Sequence, residues 1–214
     1  MTDDNRTRRT ILKAGVVGGT AAALGLAGLT VAQAAAAGQT LEPTPTCTDG
    51  HDTPSNIEGP FFKRNSPLRS NLVGAGMPGI LLSLSGTVFD VHCKPVAGAL
   101  LEFWQCDSKG RYDNSGYTLR GHQFSTATGG YAVETIVPRY YDNRTPHIHV
   151  KVQAPHGKVL TSQLFFPDNL KAYGMNVARL NAQDDFIDRR CTVALGTLAN
   201  NRYPATFEFV VKTP

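Results

Sequence analysis

Charge and the larger flexible apolar side chains are both scarce in this chain: 18% of its 214 residues are charged, and it has one tryptophan and three methionines. The charges do not gather into runs, so there is no basic stripe of the kind that tracks nucleic acid. Beyond residue 38 no internal repeat or low-complexity tract appears, which excludes an array of stacked units. Helical periodicity is confined to residues 169–188 and leaves the rest of the chain to strands and loops. The four cysteines, Cys47, Cys93, Cys106 and Cys191, include no Cys-x-x-Cys pair, so a zinc site of that type is excluded. An even number in an oxidising compartment predicts two disulfides. The extended segment between Cys93 and Cys106 would hold those two beyond bridging distance, so each is expected to join Cys47 or Cys191.

One long apolar run is present, and it lies at the start. Thr7-Arg8-Arg9-Thr10-Ile11-Leu12-Lys13 reads as a twin-arginine export signal, followed by apolar residues from Ala14 to Ala32 and an Ala-x-Ala cleavage region around Ala32 to Ala37. That run barely reaches spanning length and ends in small residues with no positively charged stop, so cleavage is expected rather than a stable membrane anchor. The mature protein would then be periplasmic or extracellular. Without residues 1–37 the formal charge falls from +4 to +2, which leaves no strong footprint for nucleic acid or a membrane surface. The remainder suits a single folded domain. The expected organisation is a signal peptide at 1–37, an irregular arm at 38–79 and a β-sandwich domain at 80–214.

From Ile80 onward the pattern is strand, turn, strand. Strands are expected at Leu81 to Asp90, Ala99 to Gln105, Tyr131 to Val137, His147 to Ala154, Val159 to Phe165 and Thr206 to Lys212, with turns at His92 to Ala97, Thr126 to Gly130 and Pro155 to Gly157. Short strands at regular intervals predict an all-β sandwich of mixed and antiparallel strands with long loops. One or two short helices, interrupted near Gly174, are expected in the C-terminal third.

Within that framework two segments carry donor atoms. His147 and His149 are two residues apart on a strand and so project to one face, where both imidazoles can reach a single ion. Imidazole suits zinc, copper, iron and nickel alike, whereas the phenolates of Tyr112 and Tyr141 favour a hard, highly charged cation. Two tyrosines with two histidines therefore point to ferric iron, Fe(3+). A cupin-type site would need a glutamate four or five residues after the second histidine, and Gln153 and Ala154 stand there. His51, His92, His122 and His156 fall outside the set and read as loop residues.

Five blocks in order, Leu101-Glu102-Phe103-Trp104-Gln105-Cys106-Asp107, Gly110-Arg111-Tyr112, Thr135-Ile136-Val137-Pro138, Arg144-Thr145-Pro146-His147-Ile148-His149 and Gln163, resemble the intradiol ring-cleavage dioxygenases, in particular the exported single-chain relatives of the protocatechuate 3,4-dioxygenase type. The resemblance implies that Tyr112, Tyr141, His147 and His149 are iron ligands, Tyr141 being the axial phenolate that leaves when substrate binds. It also implies that Arg144 is the active-site arginine, that Gln163 lies beside the substrate ring and that Trp104 lines the pocket. Where many relatives carry glycine after the proline, this chain has Pro138-Arg139-Tyr140-Tyr141, and the spacing to His147 favours Tyr141 over Tyr140. The implied activity is cleavage of a catechol-type ring between its two hydroxylated carbons with O2, giving a muconate-type diacid. The implied partners are a small aromatic diol and O2, with no nucleic acid, no stable membrane anchor and a homo-oligomer left open. Arg120 and Arg139 read as ordinary surface charges that could meet a substrate carboxylate. The competing reading is an exported, non-catalytic β-sandwich that binds carbohydrate or a surface partner through aromatics such as Trp104 and Tyr117.

Overall fold

A computed structural model describes Cys47 and residues 51–214; the expected export signal lies outside the described residues. Among the described residues nine strands build two sheets. The four-stranded sheet, in the order β3-β2-β5-β6, contains β2 (Leu100–Trp104), β3 (Arg120–Phe124), β5 (His147–Gln153) and β6 (Val159–Phe165), all antiparallel. The five-stranded sheet runs β4-β1-β8-β7, from β4 (Gly130–Ile136), β1 (Leu81–Asp90), β8 (Arg202–Thr206) and β7 (Ala194–Leu195), with β9 (Phe209–Val211) continuing alongside β1. Both β8 and β9 run parallel to β1, the first along Leu81 to Ser85 and the second along Val88 to Asp90. Gly86 sits where they hand over: a Cβ there would lie 1.8 Å from the Phe207 carbonyl oxygen, so no larger residue fits. The expected all-β sandwich of mixed strands is the architecture observed.

Alternation sets the core. Leu82, Leu84 and Val88 of β1, Leu101 and Phe103 of β2, and Ile148, Val150 and Val152 of β5 are all buried between the sheets. Each such side chain stabilises the fold by roughly 1.5–3 kcal/mol. One α-helix is present among the described residues, α1 (Val177–Gln183), capped by Asn176, whose side chain accepts from the Arg179 N–H at 3.1 Å. The short helix expected within 169–188 is this one, and the interruption expected near Gly174 is observed. Tyr173 and Gly174 have φ of 50° and 69°, which no helix accommodates, and Asp184 is extended. Sequence pattern also missed β3, whose Arg-Gly-His-Gln-Phe has no β-branched residue, and β8, which carries Pro204. His122, read as a loop residue, is part of β3.

Residues 51–80 form no strand or helix of their own, yet they cross the outer face of the four-stranded sheet from edge to edge. At the β6 edge the Asn56 N–H donates to the Thr161 carbonyl (2.8 Å). Glu58 pairs with Lys151, Phe62 packs on Trp104, and Ser66 donates to Glu102 (2.7 Å). At the β3 edge His122 N–H meets the Pro67 carbonyl (3.0 Å) and Arg69 N–H meets the His122 carbonyl (2.9 Å). Both exposed edges are thereby covered, and so is a sheet face that would otherwise meet water.

A disulfide joins Cys47 to Cys93, with Cα atoms 5.6 Å apart. The second expected bridge does not form. Cys106 and Cys191 are free and buried, the first donating to the Arg139 carbonyl (3.1 Å), the second packed on Ser162 of β6. Cys106 follows β2, and β5 lies between β2 and β6, so two strand spacings separate the thiols and exceed what a disulfide spans.

Candidate metal centre

Strand register assembles the site. Arg120 of β3 lies opposite Trp104 of β2, Trp104 opposite His149 of β5, and His149 opposite Gln163 of β6. Residues directly opposite share a face, so one row across four strands sets these side chains together under the arm. His147 stands two positions from His149 on that face. Its Nδ1 lies 2.7 Å from the Thr145 carbonyl, which can only accept, so the proton sits on Nδ1 and Nε2 keeps its lone pair. The two Nε2 atoms face each other at 3.2 Å. Burial pushes His147 down to about 4, helped by the Arg144 charge, and pushes His149 well below the usual imidazole range. Both are therefore neutral, the form a metal requires.

The tyrosines arrive on two turns packed against each other. Asp107 closes the first by accepting from the Lys109 and Arg111 N–H groups (2.8 and 2.9 Å). Gly110, at φ 78°, lets it approach the second: a Cβ there would stand 2.7 Å from the Tyr140 carbonyl oxygen. The second turn folds Tyr141 back on Arg144, whose N–H donates to the Tyr141 carbonyl (2.8 Å). As a result the rings of Tyr112 and Tyr141 meet edge to face at 5.5 Å, and the Tyr141 hydroxyl reaches to 3.4 Å from His147 Nε2. Tyr140 points the other way, is 37% exposed and lies under the Arg139 guanidinium.

Tyr112 Oη is buried with no hydrogen-bond partner, and burial pushes its phenol far above the usual range. Tyr141 is raised too, chiefly by burial, with its contact to the Tyr112 hydroxyl and then the Arg144 charge pulling the other way. A buried, unpartnered phenol oxygen beside two imidazole Nε2 atoms that face each other, His147's with its lone pair free, fits a hard cation that would hold both tyrosines as phenolates. The 3.2 Å nitrogen separation suits two ligands on one ion, since imidazole-to-metal bonds run about 2.0–2.1 Å. Among the described residues no group of three His, Cys, Asp or Glu comes together, so neither a cysteine-histidine zinc site nor a two-histidine-one-carboxylate site is built.

Arg144 lies beside this cluster, buried. Its Nε donates to both oxygens of Asp184 at 3.1 Å, its Nη2 donates to Gln163 Oε1, and its guanidinium stacks over Phe186 at 4.9 Å. Gln163 in turn donates to the Ile57 carbonyl of the arm (2.9 Å). Asp184 escaped the sequence reading because a carboxylate at a predicted helix end looks like ordinary surface charge. Trp104, expected to line the pocket, is fully buried and stacks flat on His149, centroids 4.8 Å apart and planes 6° from parallel, because register places it opposite that residue. Arg120 is no surface charge. It is 1% exposed, and its guanidinium donates to the Phe61 carbonyl (2.7 Å) and to the Asp113 carbonyl (3.0 and 3.1 Å). Phe61 stacks on Tyr112 at 4.3 Å and Asp113 follows Tyr112 in the chain, so Arg120 braces Tyr112 through both neighbours. A separate cavity of 380 Å³, bordered by Gln105, Asp107 and Leu119, lies against Tyr112 away from the histidines.

With this geometry in hand, residues 57–212 match a family model described as "Dioxygenase". The chain is 31% identical over 163 residues to catechol 1,2-dioxygenase of Candida albicans, covering 63% of this chain and 53% of that one. It is 30% identical to hydroxyquinol 1,2-dioxygenase of Nocardioides simplex, covering 54% and 48%. The chain thus spans about half the length of the curated relatives it matches. Among solved structures it is similar to the dioxygenase domain of a dioxygenase carbohydrate-binding protein fusion from Streptomyces sp. SirexAA-E, with 42% identity, a TM-score of 0.68, and coverage of 81% of this chain and 100% of that one. An intradiol ring-cleavage dioxygenase from Tetranychus urticae, at 24% identity and a TM-score of 0.65, shares the fold.

Proposed function

This chain belongs to the intradiol ring-cleavage dioxygenases, and we propose from that premise that it is a ferric, non-haem dioxygenase opening catechol-type rings between the two hydroxylated carbons with O2, to give muconate-type diacids. The observation that supports this reading most is the convergence of His147 Nε2, His149 Nε2 and the Tyr141 hydroxyl beside the unpartnered Tyr112 hydroxyl. Tyr112, Tyr141, His147 and His149 would hold the iron. Bound there, ferric iron would supply Lewis acidity, favouring the catechol dianion and drawing electron density from the ring so that it reacts with O2. Tyr141 is the less buried phenol and lies on a turn, so of the two tyrosines it would be the one free to move and take up a substrate proton. Arg144 stabilises negative charge that develops on the ring, and it is held ready by Asp184 and Gln163 before substrate arrives. A non-catalytic binding module gives no reason to bury two histidines, an arginine and a phenol without a partner.

The test is a visible spectrum of the purified protein with and without catechol, protocatechuate and hydroxyquinol, followed by oxygen uptake and product identification. A phenolate-to-iron band and a diacid product are expected. A colourless, iron-free protein or a yellow semialdehyde product would overturn the proposal. Export through the twin-arginine route belongs to the same proposal and is supported by Arg8-Arg9 ahead of the apolar run. Changing both arginines to lysine should retain the protein in the cytoplasm, as cell fractionation would show.

A further inference from the structure

A carboxylate at the C-terminal end of a helix faces the negative end of the helix dipole, an unfavourable place for it. Asp184 nevertheless caps α1 there, with its side chain 0% exposed. Its oxygens accept from Arg144 Nε (3.1 Å to each), from the Thr145 N–H (2.8 Å) and from the Phe186 N–H (2.9 Å). One helical turn earlier Asn181, also buried, accepts from the Thr145 hydroxyl and donates to the Phe166 carbonyl (3.0 Å) and to Asp168 (2.7 Å). The helix end thus grips two consecutive residues. Arg144 is gripped by its side chain, Thr145 by both its N–H and its hydroxyl. The Thr145 carbonyl is in turn the acceptor that holds the proton on His147 Nδ1.

We infer that Asp184 is a positioning residue for the whole Arg144–His147 segment: it aims the arginine and, through Thr145, fixes the tautomer and ring orientation that leave His147 Nε2 free for a metal. The inference rests on the ferric reading of the site for its consequence, not for its geometry. A carboxylate that merely balanced the Arg144 charge would also be buried here, so the two roles must be separated by what happens once that charge is gone. Asp184 acting only on Arg144 becomes irrelevant to His147 when Arg144 is neutral. Asp184 acting through Thr145 does not.

Four proteins make the comparison: wild type, Arg144→Met, Asp184→Leu and the double variant, leucine having no oxygen to accept from the Thr145 N–H. The double variant leaves no unpaired buried charge and keeps the fold accessible even where Asp184→Leu alone does not fold. Nitrogen-15 NMR of the metal-free proteins reads the His147 tautomer, and competition with a chelator reads ferric iron affinity. Arg144→Met is expected to keep the single Nδ1–H tautomer and wild-type iron affinity. The double variant is expected to show mixed tautomers and iron affinity roughly 10- to 100-fold weaker, as for loss of a group that orients a ligand. A double variant with the tautomer and affinity of Arg144→Met would reduce Asp184 to a counter-charge and overturn the inference. Wild type that binds no ferric iron would instead overturn the function proposed above, while the NMR comparison would still decide the role of Asp184.

Discussion

Strand β1 of the five-stranded sheet and strand β5 of the four-stranded sheet both turn leucine, isoleucine or valine toward the core at alternate positions. Their other faces differ. Along β1 the outward residues Ser83, Ser85 and Thr87 meet solvent at least in part, as alternation predicts for a sheet with one wet face. Along β5 the outward residues His147 and His149 are as buried as the core. The contrast extends to the whole sheets: Arg120, His147, His149, Ser162 and Gln163 are buried polar residues in strands of the four-stranded sheet, whereas the five-stranded sheet has Thr135. Burying polar groups costs free energy unless they are partnered, and Arg120, His147, His149 and Gln163 put most of that cost on the outer face of one sheet, the face the arm covers.

The largest effects should separate the sheets cleanly. His149→Ala or Tyr112→Phe is expected to abolish or sharply lower ferric iron content and colour, read by metal analysis and absorbance. Leu82→Ala, deep in the five-stranded sheet, is expected to destabilise the protein by about 2–5 kcal/mol in urea unfolding while leaving colour per folded molecule unchanged. Equal loss of colour in Leu82→Ala would mean that the site depends on global stability rather than on its own face.

Next in size is Arg144→Ala, for which a loss of roughly 2.7–4 kcal/mol in transition-state stabilisation is expected from kcat, by analogy with removing an oxyanion-hole donor. Lysine should restore only part of it, because Asp184 and Gln163 both use the planar fork of the guanidinium. Normal turnover in Arg144→Ala would remove that residue from the reaction. A comparable stability effect belongs to neither sheet: Cys47→Ser opens a loop of 46 residues and should cost about 4 kcal/mol by the loop-entropy relation, measured by urea unfolding with iron content unchanged.

How much of this could be read from the chain follows the same division. The inward faces and the ends of β1 and β6 follow from alternation alone, and His147 with His149 from spacing on a strand. Spacing to His147 favours Tyr141 over Tyr140, and the turn at Tyr141 to Arg144 brings the Tyr141 hydroxyl to 3.4 Å from His147 Nε2. What alternation cannot show is which outward face will be covered. The arm's composition, rich in Thr, Pro, Asp and Ser at its start, looks like a lead-in, and nothing local says that residues 56–69 will cross a sheet whose strands begin later in the chain. Hence Arg120 reads as a surface charge and His122 as a loop residue. Asp184 was hidden for a related reason: its partners lie 39 and 40 residues away in sequence, and such pairings are set by tertiary packing.

The smallest expected effect compares two aspartates that close turns on opposite sheets. Asp113, in the loop leading to β3, accepts from the Ser115, Gly116 and Thr118 N–H groups (3.1, 2.6 and 3.0 Å) and from the Ser115 hydroxyl (3.2 Å). Asp90, at the end of β1, accepts from two N–H groups, of His92 and Lys94 (2.8 and 2.9 Å). Hydrogen bonds to the charged form favour it, so both carboxyls are held below the usual range, Asp113 much further than Asp90. A depressed folded-state pKa contributes stability that is fully present above the ordinary carboxylate pKa and is lost as pH falls toward the folded value. Unfolding midpoints in urea between pH 6 and pH 2 should therefore decline less steeply in Asp113→Asn than in wild type, and only slightly less steeply in Asp90→Asn. Because the Asp113 turn also supplies the carbonyl that Arg120 holds, Asp113→Asn should shift the phenolate-to-iron band while Asp90→Asn leaves it in place. Parallel pH profiles for all three proteins, with an unshifted band in Asp113→Asn, would show that the turn beside Tyr112 is no more tightly built than its counterpart on the other sheet.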